Sequence, residues 1–268
     1  MSESGVQARD ASTVMLVRDA AEGIEVFLQR RVTGMAFAGG VTVFPGGGVD
    51  ATDATADIAW AGPEPAWWAE RFATDEPTAQ ALVAAAVRET FEECGVLLAG
   101  PTPDSVVEDS ARYRAARGKL ECRELSLAEF LAAENLVLRA DLLRPWSNWI
   151  TPEAEPRRYD TRFFVAVLPH GQDADGATSE AAHVAWRTPE QALASWRAGE
   201  HVLMPPTWSQ LDALRGFADT TAVLAGERVI EPIMPKYSPG AAGHPLSDFP
   251  DNERYFAELP ELGALRGR

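Results

Sequence analysis

The stretch VRETFEECGV (87–96) sets Arg88, Glu89, Glu92 and Glu93 within six consecutive positions. On a helix, side chains three and four apart share a face, so Glu89 lies with both Glu92 and Glu93. Arg88 stands four before Glu92 and can pair with it. Carboxylates so placed repel one another, and no Lys occurs between Gly48 and Gly118 to offset them. A divalent cation would. Mg²⁺ takes hard oxygen ligands, usually one or two carboxylates, with waters and substrate phosphates completing its shell. An ordinary solvated helix face is the other reading of the same residues.

These residues need a helix to carry them, and the surrounding sequence supplies one. TAQALVAAAVRETFEEC starts after Pro77, with Asp75 or Thr74 as cap, and stops at Gly95, which tolerates the left-handed conformation. Upstream, STVMLVRD (12–19) and GIEVFLQRR (23–31) read as a β-hairpin. VTVFPGGGVD (41–50) reads as a strand running into three glycines. Residues 54–80 differ in composition, with Trp60, Trp67, Trp68 and Phe72 among Pro, Ala and acids. They read as a partly helical insertion whose aromatics pack back on the body.

Downstream, Ser126/Glu129 and Thr188/Gln191 form capping boxes that open two helices. Residues 160–169 and 182–187 are strands, 205–217 a helix, and ERVIEPIMP a late strand. From Lys236 the chain is Pro/Gly-rich and is expected to loop over the surface. Alternating strands and helices, with helices gathered at the C-terminal end, give an α/β or α+β class.

Composition narrows the partners. The chain has 268 residues, 46% of them hydrophobic, enough for a sizeable core. A net charge of −16 and a pI near 4.7 disfavour nucleic acid and anionic membrane as partners. No apolar run reaches the length of a membrane span, and the first residues lack signal-peptide order. Cys94 and Cys122 have no metal-ligand spacing, which fits a reduced, cytoplasmic protein. His170, His183, His201 and His244 are scattered and also lack ligand spacing.

RETFEECGV resembles the second half of the Nudix box, G-x5-E-x7-R-E-U-x-E-E-x-G-U, where U is aliphatic. Arg88, Glu89, Glu92, Glu93, Gly95 and Val96 match, and Thr90 replaces the aliphatic residue. FPGGGVDATD (44–53) resembles the first half, with Gly47 as the leading Gly, Asp50 and Asp53 where Glu is usual, and Thr52 where Gly is usual. Between Asp53 and Arg88 lie 34 residues, 27 more than in the simple box. The excess is the Trp-rich stretch. The peroxisomal coenzyme A diphosphatase branch has such an insertion. FLQRRVTGMAFAGGVTVFPGG keeps Leu28, Arg30, Gly40, Phe44, Pro45, Gly46 and Gly47 of that branch's upstream motif, with Met35 where its second Arg would stand. WSNWITPEAEPRRYDTRFFVAVLP (146–169) and LMPPT (203–207) are similar to further segments of it.

The resemblance implies a Nudix α/β/α sandwich with a mixed sheet, an insertion and a C-terminal helical extension. One Nudix domain would span 1–268, with its core at about 12–233, the insertion at about 54–80 and a surface tail at about 236–268. It implies Mg²⁺- or Mn²⁺-dependent hydrolysis of the diphosphate in a small nucleoside diphosphate derivative, coenzyme A or an acyl-coenzyme A first. ADP-ribose or NADH is the enzymatic alternative. A non-catalytic nucleotide sensor is the alternative from another class.

By the same resemblance, Glu92 and Glu93 are metal ligands, and Glu89 is a ligand or the general base. Arg88 orients the carboxylates, and Gly46 and Gly47 bring backbone close to the metal. A base on the acidic loop 171–180 would be Asp173, Asp175 or, by preference, Glu180. Arg30, Arg157 and Arg158 are candidate phosphate contacts, because guanidinium forks bind phosphate oxygens bidentately. On a strand Arg157 and Arg158 would point oppositely, so one would serve. Trp146 or Trp149 is a candidate adenine platform, core packing being the commoner use of a large aromatic. A homodimer through the Trp-rich stretch is weighed against that stretch packing on its own body.

Overall fold

The computed structural model describes residues 6–32, 40–55, 57–179, 181–239 and 245–260. Strands β1 (Arg9–Ala20) and β2 (Gly23–Arg31) form the expected antiparallel hairpin, with Val17 opposite Val26. The run 41–50 is two short strands rather than one. β3 (Thr42–Val43) pairs with β2, and β4 (Gly46–Gly48) pairs with β1. Pro45 lies between them and has no amide hydrogen for a ladder, so the chain changes partner there.

Next come α1 (Ala51–Thr55), β5 (Trp60–Ala61), α2 (Pro65–Phe72) and α3 (Glu76–Cys94). They are followed by β6 (Ala99–Gly100), α4 (Arg114–Glu121), α5 (Leu127–Ala133), β7 (Val137–Arg139), β8 (Leu143–Ile150) and β9 (Tyr159–Val167). The C-terminal third holds β10 (Ala181–Arg187), α6 (Pro189–Arg197), α7 (Pro205–Leu214), α8 (Thr220–Ala225), β11 (Pro232–Ile233), β12 (Lys236–Pro239), β13 (Pro245–Asp248) and α9 (Asn252–Glu258).

The main sheet runs β10-β2-β1-β9-β8-β11, with β3 on β2 and β4 on β1. It is mixed, since β1 pairs parallel with β9 and β8 parallel with β11, while β2 is antiparallel to its neighbours and β8 is antiparallel to β9. The pleat sends alternate residues to opposite faces. Val14, Leu16, Phe27, Phe164 and Ala166 pack into the core that contains α3. Met15, Val17, Val26, Leu28, Phe163 and Val165 pack into a second core with α6, α7 and α9. The sheet is therefore the middle layer of an α/β/α sandwich.

Helix α3 follows its caps. The Asp75 carboxylate accepts the Thr78 amide at 2.8 Å, and Gly95 closes the helix at φ +75°. Residues 79 and 81–91 are all buried, so the body of the helix lies inside the fold and its first turn, Glu76 and Pro77, is exposed. Its small Ala side chains let α2 and β1 approach closely. The Trp-rich stretch packs on this body as expected: Trp68 and Phe72 are buried, with ring centroids 5.6 and 5.2 Å from Phe164. Both capping boxes form.

The tail departs from expectation. Instead of a surface loop, β12 and β13 pair as a hairpin and α9 follows. Phe249 and Tyr255 enter the second core, where Tyr255 stacks on Trp196 and its hydroxyl donates to the Leu203 carbonyl at 3.0 Å. Among the described residues no helix is long and apolar enough to cross a membrane.

Candidate active site

The last turns of α3 lie against β1, β2 and β4, with α1 alongside. Arg88 is the centre of the polar cluster there and only 5% exposed. Its Nη1 donates to Glu89 Oε1 at 2.8 Å and to Glu92 Oε2 at 3.3 Å. Nε and Nη2 fork onto Asp53 at 3.0 and 2.9 Å, and Nη2 also donates to the Gly48 carbonyl. Asp53 in turn accepts the Asp50 amide at 2.8 Å. Every nitrogen of the guanidinium thus has a carboxylate partner, which is what a buried Arg requires.

The three helix carboxylates are not equivalent. Glu89 and Glu92 share Arg88. Glu93 instead accepts the Gly46 amide at 2.7 Å and the side-chain amide of Gln29. Sequence reasoning assigned no role to Gln29 or Asp53. Gln29 had a legible signal, being an amide on a strand face that it shares with core-facing Phe27. Asp53 had one too, standing at the box's Glu position six residues after Gly47.

The glycines are needed for space rather than for a bend, since β4 is an extended strand. A Cβ on Gly46 would stand 2.5 Å from the Ser12 carbonyl oxygen, and one on Gly47 would stand 2.5 Å from Glu89 Oε1. A Cβ on Gly48 would meet nothing closer than 4.0 Å. Thr90, the departure from the box pattern, is fully buried and back-bonds its hydroxyl to the Ala86 carbonyl at 2.7 Å, which leaves its methyl to pack.

Burial pushes the Glu89 carboxyl up to about 7, with Arg88 opposing and Glu92 adding to the rise. Glu92 is raised for the same first reason. Burial works against the Arg88 charge, yet its bond to Asp53 and the charges of Glu89 and Glu92 hold its pKa above the ordinary value.

A second cation anchors the helix end. Arg117 donates from Nε to the Glu92 carbonyl at 2.9 Å and from Nη1 to Asp175 at 2.7 Å. It offsets the negative end of the helix dipole. It also clamps the loop after residue 170 onto α3, where the Asp175 amide donates to the Cys94 carbonyl at 2.9 Å. Asp173 and Asp175 line a cavity of about 260 Å³ beside Gly95 and Phe91. Glu180, the preferred loop base, lies outside the described residues, as does His244.

The predicted phosphate arginines are not gathered here. Gln29 faces Glu93, so the pleat turns Arg30 to the opposite face of β2, where it lines a hollow with Leu203 and His201. Arg157 and Arg158 precede β9 and are not on a strand. Arg157 is exposed, while Arg158 ties the Thr151 and Val6 carbonyls together at 3.0 and 2.8 Å. Trp146 and Trp149 are 2% and 4% exposed, inside the second core, and neither offers a ring face to a nucleobase. Arg228 covers Trp146, and Phe249 packs on Trp149.

The sequence model of the NUDT19 Nudix domain matches residues 62–214. The chain belongs to this Nudix family. The match begins after the glycine half of the box, so it is geometry that joins the halves: Asp53 to Arg88, and Gly46 to Glu93. Among similar proteins, the acyl-coenzyme A diphosphatase NUDT19 of Gallus gallus is 30% identical over 236 residues, covering 72% of this chain and 61% of that protein. Its Homo sapiens counterpart is 28% identical over 235 residues, covering 74% and 62%. The chain thus spans about three fifths of the length of these relatives. A crystal structure of a Nudix hydrolase from Alicyclobacillus acidocaldarius is 28% identical, covers 84% of this chain and 98% of its own, and superposes with a TM-score of 0.68.

Nudix hydrolases use divalent metal ions, and the donor set fits one. Asp53, Glu89, Glu92 and Glu93 are four carboxylates to one guanidinium, and burial first, with the neighbouring carboxylates adding to it, raises the pKa of Glu89 and Glu92. Among the described residues no three His, Cys, Asp or Glu side chains form a ready-made cage. A hard cation is commonly held by one or two carboxylates, with water and phosphate oxygens completing its shell.

Proposed function

We propose that this Nudix chain hydrolyses the diphosphate of a nucleoside diphosphate derivative, with coenzyme A or an acyl-coenzyme A as substrate and Mg²⁺ or Mn²⁺ as cofactor. The observation that carries it is the Arg88 cluster, in which both halves of the Nudix box meet around one buried guanidinium. The names of the relatives support the substrate class.

Glu92 and Glu93 are the cation's principal ligands, and Glu89 is a further ligand or the base. Once bound, the cation neutralises diphosphate charge and lowers the pKa of a water. Arg88 is a positioning residue: it fixes Glu89 and Glu92 while Asp53 holds Arg88. Gln29 and the Gly46 amide fix Glu93. The proton acceptor is drawn from Glu89 and the loop carboxylates Asp173 and Asp175.

Glu92→Gln and Glu93→Gln should each lower turnover by about 10²–10³-fold, the scale of losing one preorganised charge, with an unchanged circular dichroism spectrum. Full activity in both would overturn the metal-site assignment. Substrate is settled by a panel of coenzyme A, acyl-coenzyme A, ADP-ribose and NADH with products identified by mass. 3′,5′-ADP together with 4′-phosphopantetheine or its acyl form supports the reading. Turnover of ADP-ribose or NADH alone refutes it.

A further inference from the structure

Ten arginines of the described residues form ion pairs with carboxylates. Arg30 and Arg187 form none among the described residues, in a protein of net charge −16. Both line the same hollow, on the face of β2 away from the carboxylates. His183 stands directly across from Arg30 in the β2–β10 register, and Arg187 is four residues further along the same face. His201 joins them, with its Nδ1 3.3 Å from the Thr42 hydroxyl. Among the described residues no carboxylate lines the hollow. The connection TGMAFAG (33–39) that leads from β2 towards β3 contains no acid either.

Arg30 and Arg187 thus put two guanidiniums on one face of the β2–β10 pair with no carboxylate partner among the described residues. The floor of the hollow, formed by Leu28, Ala185, Ala192 and Leu203, is apolar and does nothing to screen them. Low-dielectric walls concentrate such a field on whatever enters. Size then limits the occupant. The hollow is about 20 Å³, and one water-sized sphere needs about 10–15 Å³. It admits an oxygen or two of an anion, not a nucleobase. Two guanidiniums, two imidazoles and a hydroxyl around that space match the oxygens of a tetrahedral dianion.

We propose that this hollow is an anion site that takes the terminal oxygens of a phosphate monoester, held by Arg30 and Arg187 with His183, His201 and Thr42. The site stands back-to-back with the Arg88 cluster across β2 and does not depend on the hydrolase reading. It is therefore tested without metal or turnover.

The full chain in EDTA is titrated with inorganic phosphate while the histidine ring signals are followed by NMR. Saturable shifts of His183 and His201 at millimolar phosphate are expected. Arg187→Gln and Arg30→Gln should each weaken binding about tenfold, about 1.4 kcal/mol, with an unchanged melting temperature. Glu93→Gln should bind as wild type does. No saturable shift in the wild type, or equal binding in both arginine variants, overturns the site. A nucleotide bearing a pendant monophosphate and its dephosphorylated analogue separate the sources. Shifts from the nucleotide and not its analogue show that the site accepts a ligand-borne phosphate, and shifts from inorganic phosphate alone show that it accepts the free ion. Both outcomes support the proposal.

Discussion

Gln29 and Arg30 are neighbours on β2, yet they face clusters of opposite sign. On the α3 side, one guanidinium holds three carboxylates, and a fourth, Glu93, is held by Gln29 and the Gly46 amide. On the α6 side, two guanidiniums and two imidazoles share a hollow without a carboxylate. The period-two pleat keeps these charges one layer apart in a strand whose sequence, LQRR, runs them together. The acidic cluster holds its own cation and asks for a second. The basic cluster has no carboxylate in its lining among the described residues, which leaves it open to an anion from outside the chain.

The comparison breaks first if Arg88 is dispensable. Arg88→Met removes the guanidinium that pairs with the buried Asp53, Glu89 and Glu92 and should cost about 3–5 kcal/mol of stability, measured by urea unfolding of the metal-free protein. A loss below about 1 kcal/mol would mean that the cluster is solvated rather than built.

The glycines sharpen it next. Gly47→Ala places a methyl where Glu89 Oε1 stands and should depress turnover about tenfold or more, the scale of disturbing a supporting contact. Gly48→Ala, with open space around it, should leave both activity and stability within about 0.5 kcal/mol of wild type. Equal effects at the two positions would refute the close-approach argument.

The smallest effect tests the basic face. Burial lowers the His201 pKa, and Arg187, Arg30 and His183 lower it further while Glu200 opposes them. A folded-state pKa below the unfolded value means that the native state binds fewer protons. Stability is then intact above about pH 6.5 and falls as the pH drops through the unfolded and then the folded pKa. Relative to His201→Gln, the wild type should lose stability between pH 7 and pH 5, and phosphate should reduce that loss. Parallel slopes for the two proteins, in paired urea titrations, would remove His201 from the cationic group.

Features that depend on a few neighbouring residues were legible in advance. The Asp75 cap and Gly95 stop of α3, the Ser126 and Thr188 capping boxes and the β1–β2 hairpin form where their local chemistry places them. The order of the tail is not legible from its composition, since eight of its 33 residues are Pro or Gly. What orders it is Phe249 and Tyr255, which find Trp149, Trp196 and Trp208 only after the chain has folded back. Trp146 and Trp149 were nominated for stacking because an indole's chemistry suits a base, and their burial is set by helices some 60 residues downstream.

For the site, the spacing of Glu89, Glu92 and Glu93 already placed the three carboxylates together along α3, because side-chain positions within one helix follow from its 3.6-residue period alone. Spacing could not show which carboxylate Arg88 grips with two of its nitrogens, since Asp53 reaches it across 35 positions of sequence. Nor could it show which arginines stand near those carboxylates. Arg30 looked like a phosphate ligand for the Nudix site, and the pleat of β2 turned it to the other face. Local periodicity fixes the arrangement inside an element, whereas long-range pairing of elements decides which charges meet.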